Sequence, residues 1–175
     1  MRIGDKSLFI KSTYFNVEKD LTTICTTLLG NKELIKLLLL KEDDVDFQID
    51  NKIKKKVLED NILIEPFVRT PENLESTIIV HFDDFIPNSE NPEYMDKTLS
   101  IDIICPPSTW NMGDFKLRPY KIAGYVDGLL NKNSVNGSFS IHNTGGQTLI
   151  LNKEVAGFTL FYQVIYSAKG DSRDV

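Results

Sequence analysis

Residues 76–105 read STIIVHFDDFIPNSENPEYMDKTLSIDIIC, and their pattern decides the fold. Two apolar runs flank a polar connector. In the first, residues 76–86, Ile78, Val80 and Phe82 share one face while Thr77, Ile79, His81 and Asp83 share the other, the period-two signature of a strand. In the second, residues 98–105, Leu99, Ile101 and Ile103 alternate with Ser100 and Asp102. The connector between them, residues 87–97, contains Pro92 and carries Glu90, Glu93 and Asp96.

Downstream, residues 108–123 read STWNMGDFKLRPYKIA. A tryptophan loop and a Gly-Asp-Phe turn feed a helix from about Arg118, with Pro119 in a first-turn position where its missing N–H costs little. Ile122, Tyr125, Val126, Leu129 and Leu130 form that helix's apolar stripe. Asp114 and Arg118 are expected to pair locally and order the helix start, for about 0–1 kcal/mol if exposed. Residues 138–142 and 148–152 read as two strands around a Gly145-Gly146 turn, a candidate hairpin. Residues 158–166 alternate with apolar side chains on both faces, which predicts a central strand or a face covered by a partner.

Upstream, Asn16 is a candidate N-cap. Leu21, Ile24, Cys25, Leu28 and Leu29 follow at helical spacing. Gly30-Asn31 ends or bends that helix, and a second runs through Leu34, Leu37 and Leu38. Residues 51–60, with Lys52, Lys54, Lys55 and Lys56 around Ile53, Val57 and Leu58, predict a short surface helix. Ile62-Leu63-Ile64 begins the β part, and Pro66 argues for a sheet edge or a strand end. Residues 7–10 are a short strand or an arm.

The order of helices, strands, one helix and strands predicts an α+β fold with a mostly antiparallel sheet and helices packed on one face. Residues 1–61 form a helical N-terminal part with its arm, continuous with an α+β core over 62–167. Residues 168–175 are a polar tail.

At 175 residues, 41% hydrophobic and 26% charged, the chain has enough apolar material for one domain around one core. The first thirty residues hold no apolar signal-peptide segment. The apolar run at Leu37-Leu38-Leu39-Leu40 is far below the ~20 residues of a membrane span. Neither a membrane nor an export role is expected. Cys25 and Cys105 lie in apolar surroundings and read as buried free thiols, which suits synthesis in a cytoplasm.

The net charge of −5 is unevenly placed. Residues 1–69 hold 12 basic and 12 acidic side chains, whereas residues 70–105 hold 8 acidic ones against Lys97 alone. A nucleic-acid binder would show a basic stripe instead. The acidic block is either a solvated loop face or a surface that repels DNA or meets a basic partner.

No phosphate-binding loop, dinucleotide fingerprint, nucleophile elbow or zinc spacing is present. With only His81 and His142, a nucleophilic triad has no local support. One constellation suggests enzyme chemistry. His81 and Asp83 share a strand face, and Asp102 on a neighbouring strand would lie across from them. Two carboxylates and an imidazole can hold a divalent metal, as in a small metal-dependent hydrolase or nuclease. The simpler reading is a hydrogen-bonded strand end, so no catalytic residue, cofactor or metal is expected. Trp110 is either a contact anchor or a cover over the sheet edge.

Taken together, residues 82–88 (FDDFIPN), Asn91-Pro92-Glu93-Tyr94, residues 98–105, Trp110, residues 113–124 (GDFKLRPYKIAG) and residues 157–162 (GFTLFY) resemble the neck and tail-terminator proteins of tailed bacteriophages. These proteins join the tail tube to the head connector. The resemblance spans residues 62–166 and lies in element order and sequence character, with no catalytic signature. It implies a non-enzymatic virion protein, made in the host cytoplasm and built into the neck. It implies a cyclic homo-oligomer, a hexamer or a dodecamer, around the DNA channel. Its partners would be tail-tube and neighbouring neck proteins, with DNA passing through without sequence-specific binding. A connector or stopper ring nearer the portal is the near alternative. Interface or channel candidates on this reading are Asp83, Asp84, Glu90, Glu93, Tyr94, Asp96, Trp110 and Tyr120.

Overall fold

Asn31 ends one helix and starts the next, because its side-chain oxygen accepts the Leu34 N–H at 2.9 Å and caps a new first turn. This separates α1 (Val17–Leu29) from α2 (Lys32–Leu38). Asp50 caps α3 (Asn51–Asp60) the same way, accepting from Ile53 N at 2.7 Å. A computed structural model describes residues 17–66, 75–87, 95–132, 134–135, 139–150, 152–153 and 155–166. The expected arm at 7–10, the Asn16 cap, the tail from 167 onward and residues 88–94 of the connector lie outside them.

The strands are β1 (Ile62–Leu63), β2 (Thr77–Pro87), β3 (Met95–Cys105), β4 (Ser134–Val135), β5 (Phe139–Ile150) and β6 (Ala156–Tyr166), with α4 (Arg118–Leu130) between β3 and β4. They form one six-stranded sheet in the order β1-β2-β3-β6-β5-β4. Only β1 and β2 run parallel; the other neighbours are antiparallel. The fold is α+β. The last strand is central, as its two apolar faces predicted, lying between β3 and β5. β1 ends before Pro66 at the sheet edge, in line with that proline's missing donor.

Two sequence expectations are corrected. Residues 138–142 and 148–152 are not two strands of a hairpin. β5 is one continuous strand paired with β6 along its length, and the hairpin turn falls between Ile150 and Ala156. The bulge in β5 falls at Thr144, which the register skips between Asn143 and Gly145, while Gly145 (φ 141°) and Gly146 stay paired with Phe161 and Leu160. Gly146 is a glycine for lack of room: a Cβ there would come within 2.7 Å of the Phe158 ring. The β2–β3 connector is also shorter than read, because β2 continues to Pro87 and β3 begins at Met95.

Leu21, Ile24, Leu28, Leu34, Leu37, Leu38, Ile122, Val126 and Leu130 of three helices pack on Ile78, Val80, Leu99, Ile101, Ile103, Leu160 and Val164 of the sheet. Each such side chain taken fully out of water contributes about 1.5–3 kcal/mol. α3 adds mainly Val57 and otherwise lies on the surface, as its lysines implied. A small second cluster, Ile79, Ile104 and Val155 with Leu63 and Leu149, sits on the sheet's other face.

Cys25 and Cys105 are buried and unbridged, and burial pushes both thiols up to about 11. Arg118 does not pair with Asp114. Its guanidinium is buried, donating to the carbonyls of Thr109 (2.9 Å) and Leu37 (3.0 Å) and to the Glu42 carboxylate. Asp114 instead lies 3.8 Å from Lys116 in an exposed turn. A buried guanidinium requires several acceptors, and those come from the end of α2, the loop after it and the turn after β3.

Candidate functional site

The register places alternate strand residues on the face away from α1, α2 and α4. On β2 these include Ile79, His81 and Asp84, and on β3 they include Asp96, Thr98, Ser100 and Asp102. Thr159, Phe161 and Gln163 of β6 follow from their pairing with Asp102, Ser100 and Thr98. Asp83 is the extra residue of a bulge between Phe82 and Asp84. The bulge turns its side chain toward the same face, where it meets His81 and Ser100.

The predicted proximity of His81, Asp83 and Asp102 is present. His81 Nδ1 lies 2.9 Å from Asp83 Oδ1, and its Nε2 lies 3.2 Å from Asp102 Oδ2. Ser100 Oγ donates to Asp83 Oδ2, and Thr159 Oγ1 donates to Asp102 Oδ1 at 2.5 Å. The result is a chain of five side chains across three strands. Each imidazole nitrogen faces a carboxylate, and with the ring protonated each of the four carboxylate oxygens has a donor. The bond to Asp102 raises the His81 pKa above its ordinary value, with the Asp83 charge adding to it, although partial burial works the other way. This arrangement holds a proton between carboxylates. Among the described residues no group of three His, Cys, Asp or Glu is placed to hold a metal ion.

The four long strands contain four carboxylates, Asp83, Asp84, Asp96 and Asp102, all on the helix-free face. Their single cationic residue, Lys97, points the other way. It is buried against α1, with Nζ 3.2 Å from Asp20 Oδ2 and 5.3 Å from the centre of the Phe82 ring. The helix layer carries the lysines of α3, and Lys52, Lys54, Lys55 and Lys56 line its exposed side. Part of the acidic block therefore lies on the helix-free sheet face, with His81 among its carboxylates, while the α3 lysines sit on the helix side, Lys55 beside Glu59 and Lys56 bonded to Glu75.

The loop after β3 is built as a rigid projection. Trp110 Nε1 donates to the Cys105 carbonyl at 2.8 Å, and its ring packs against the core. This favours the cover reading of Trp110 over the anchor reading. Beyond it, Arg118 N donates to Trp110 O (2.8 Å), Met112 N to Lys116 O (3.0 Å) and Lys116 N to Gly113 O (2.9 Å). At the tip, Gly113, Asp114 and Phe115 have φ of 83°, 49° and 59°. Phe115 is fully exposed. Tyr120 is half exposed, with its ring 5.3 Å from Phe158 in an edge-to-face contact.

Of the interface candidates, Asp83 belongs to the His81 chain. Asp84 and Asp96 flank it toward the end of the β2–β3 ladder. Glu90, Glu93 and Tyr94 lie outside the described residues. Phe115 was not singled out from the sequence, because nothing in the letters Gly-Asp-Phe announces a left-handed, exposed aromatic. Ser100 and Thr159 were equally silent, since a hydroxyl's partner depends on which strands pair.

Among the described residues no helix is long and apolar enough to cross a membrane. The profile of the YomW family matches residues 31–164, a span from the start of α2 to near the end of β6. YomW is a phage-associated protein from the SPbeta region of Bacillus. No curated protein matches the chain.

Proposed function

Because the chain belongs to the YomW family, which is phage-associated, we propose that it is a structural virion protein of the head–tail junction. In this reading, copies close into a ring that ends the tail tube or joins it to the head connector, with DNA passing through the middle. The observation that carries the reading is the acidic character of the helix-free sheet face. Asp83 and Asp84 are exposed on it, Asp96 is half-buried and Asp102 is buried beside His81, with no lysine or arginine from the four long strands on that face. A carboxylate surface repels phosphate and lets DNA slide past without capture. The exposed Lys52 and Lys54 of α3 offer a neighbouring subunit or tube protein charge of complementary sign.

The polar chain around His81 supports a structural role in the same way. It spends both imidazole nitrogens and all four carboxylate oxygens on internal bonds, leaving no open position for a substrate atom. A head-to-tail contact repeated around an axis closes into a ring when the rotation per subunit fits. The test is a phage carrying a nonsense codon early in this gene. The reading predicts filled heads and separate tails in the lysate, restored to joined particles by the purified protein. Normal numbers of joined, infectious particles without the protein would overturn it.

A further inference from the structure

The sheet ends in two unlike edges. On one side β1 pairs with β2 only at Ile78 and Ile79, so from Val80 to Pro87 no described strand lies outside β2. That edge is blunted by the bulge at Asp83, the charge of Asp84 and Pro87, devices that keep a bare strand from pairing. On the other side β4 pairs with β5 only at Phe139 and Ser140. Lys132 N donates to Ile141 O (2.7 Å) and Asn143 N to Asn131 Oδ1 (3.1 Å), which extends the cover as far as Asn143. Beyond the bulge at Thr144, the run Gly145–Ile150 is in unbroken register with β6. No described strand flanks its outer side, and it contains no charged residue and no proline.

Gly146, Thr148 and Ile150 share one face of this run, opposite Leu160, Phe158 and Ala156 of β6. Ile150 is 72% exposed, an aliphatic side chain left largely in water. Gly146 offers bare backbone with the Phe158 ring standing against it. The edge thus carries an apolar projection and an apolar platform four residues apart, placed evenly about Thr148. A second β5 running antiparallel about a twofold axis at Thr148 brings Ile150 of each copy opposite Gly146 of the other, beside the Phe158 ring. In that register Gln147 faces Leu149, and Thr148 faces Thr148, a favourable cross-strand pair. Because the run is uncharged, two chains of net charge −5 meet along it with no like charges opposed.

We propose that β5 of one copy of this chain pairs antiparallel with β5 of a second copy across Gly146–Ile150, joining their two six-stranded sheets into one. The contact goes beyond the ring reading and does not rest on it. It is isologous, so a closed assembly built with it has an even number of copies. The test is sedimentation of the full-length chain over a concentration series, with Thr148 given either sign of charge. Thr148 is exposed, so both variants keep the fold, which circular dichroism checks. Thr148→Lys and Thr148→Glu each set like charges opposite one another across the axis, and each should weaken pairing by about tenfold. Mixed in equal amounts they set opposite charges there, and pairing should return to within about threefold of the unchanged chain. Ile86→Lys, at an exposed position on the β2 edge, should leave pairing as it was.

Pairing restored in the mixture and absent from either variant alone supports the contact, because only a residue facing its own copy gives that result. Three results overturn it: an unchanged chain that stays monomeric throughout, variants that pair as well as the unchanged chain, or a mixture no better than its components. The first is expected if the edge receives a strand of a different protein, the second if copies meet through another surface. The two readings fail separately. A discrete ring with an odd number of copies keeps the ring and removes this contact. Restored pairing that stops at two copies keeps the contact and removes the ring.

Discussion

Lys97 Nζ lies 3.2 Å from Asp20 Oδ2 with both side chains almost out of water, so one ion pair joins the middle of the sheet to the first helix. Desolvation is the largest influence on Lys97 and lowers its pKa, while Asp20 works to keep it charged. Removing one member of such a pair strands a buried charge, whereas replacing both with apolar groups need not cost anything. Asp20→Ala is expected to destabilise the fold by about 3 kcal/mol, and Asp20→Ala with Lys97→Met by clearly less. Urea unfolding followed by circular dichroism measures both. Equal losses in the single and double variants would remove the ion pair from this account.

His81 bears on pH dependence. A histidine whose pKa is raised in the folded state contributes stability that is fully present below its unfolded value and fades as pH rises through the folded one. The unfolding midpoint should therefore fall from about pH 6 to about pH 8, below the range where the buried thiols begin to matter. His81→Gln should flatten that fall. A slope unchanged by His81→Gln would place the pH dependence elsewhere.

Glycines at three positions predict opposite signs. A Cβ on Gly157 would lie 1.8 Å from the Ile103 carbonyl oxygen, a backbone atom of the paired strand that cannot step aside. Gly157→Ala should cost about 3 kcal/mol or prevent folding. Gly124 and Gly128 sit exposed on α4, and a Cβ there meets nothing within 4 Å. Each should gain about 0.5–1 kcal/mol on change to alanine. Thermal melts of the three variants give the ranking directly.

Trp110 is an internal footing with a polar handle. Trp110→Phe keeps most of the ring packing and removes the donor to the Cys105 carbonyl, for an expected loss of about 1 kcal/mol. Because Trp110 is the chain's single tryptophan, the loss is read by circular dichroism and not by fluorescence. A neutral result would return Trp110 to the surface-anchor reading.

Much of the fold was legible because strand and helix periods are local. The alternation in residues 76–86 and 98–105 gave β2 and β3, the Gly30-Asn31 break gave the α1–α2 boundary, and the two-sided apolar pattern of residues 158–166 marked a central strand. The same parity put His81 and Asp102 on one face, and the β2 bulge keeps Asp83 beside them. The errors came where a distant partner decides. Gly145-Gly146 has the letters of a turn, yet both glycines pair with β6, and Gly146 lies where a Cβ would meet the Phe158 ring. Arg118 has Asp114 nearby in sequence, yet it bonds Glu42, because its buried guanidinium faces the carbonyls of Leu37 and Thr109 and the Glu42 carboxylate. Phe115 stayed hidden because a positive φ leaves no trace in composition or spacing.

Ring formation is tested most directly by the native mass of the purified full-length chain, taken by light scattering at two well-separated concentrations. The account predicts one discrete multiple of 19.9 kDa, a small closed number of subunits, unchanged on dilution. A mass of 19.9 kDa at both concentrations, or one that keeps growing with concentration, would contradict it.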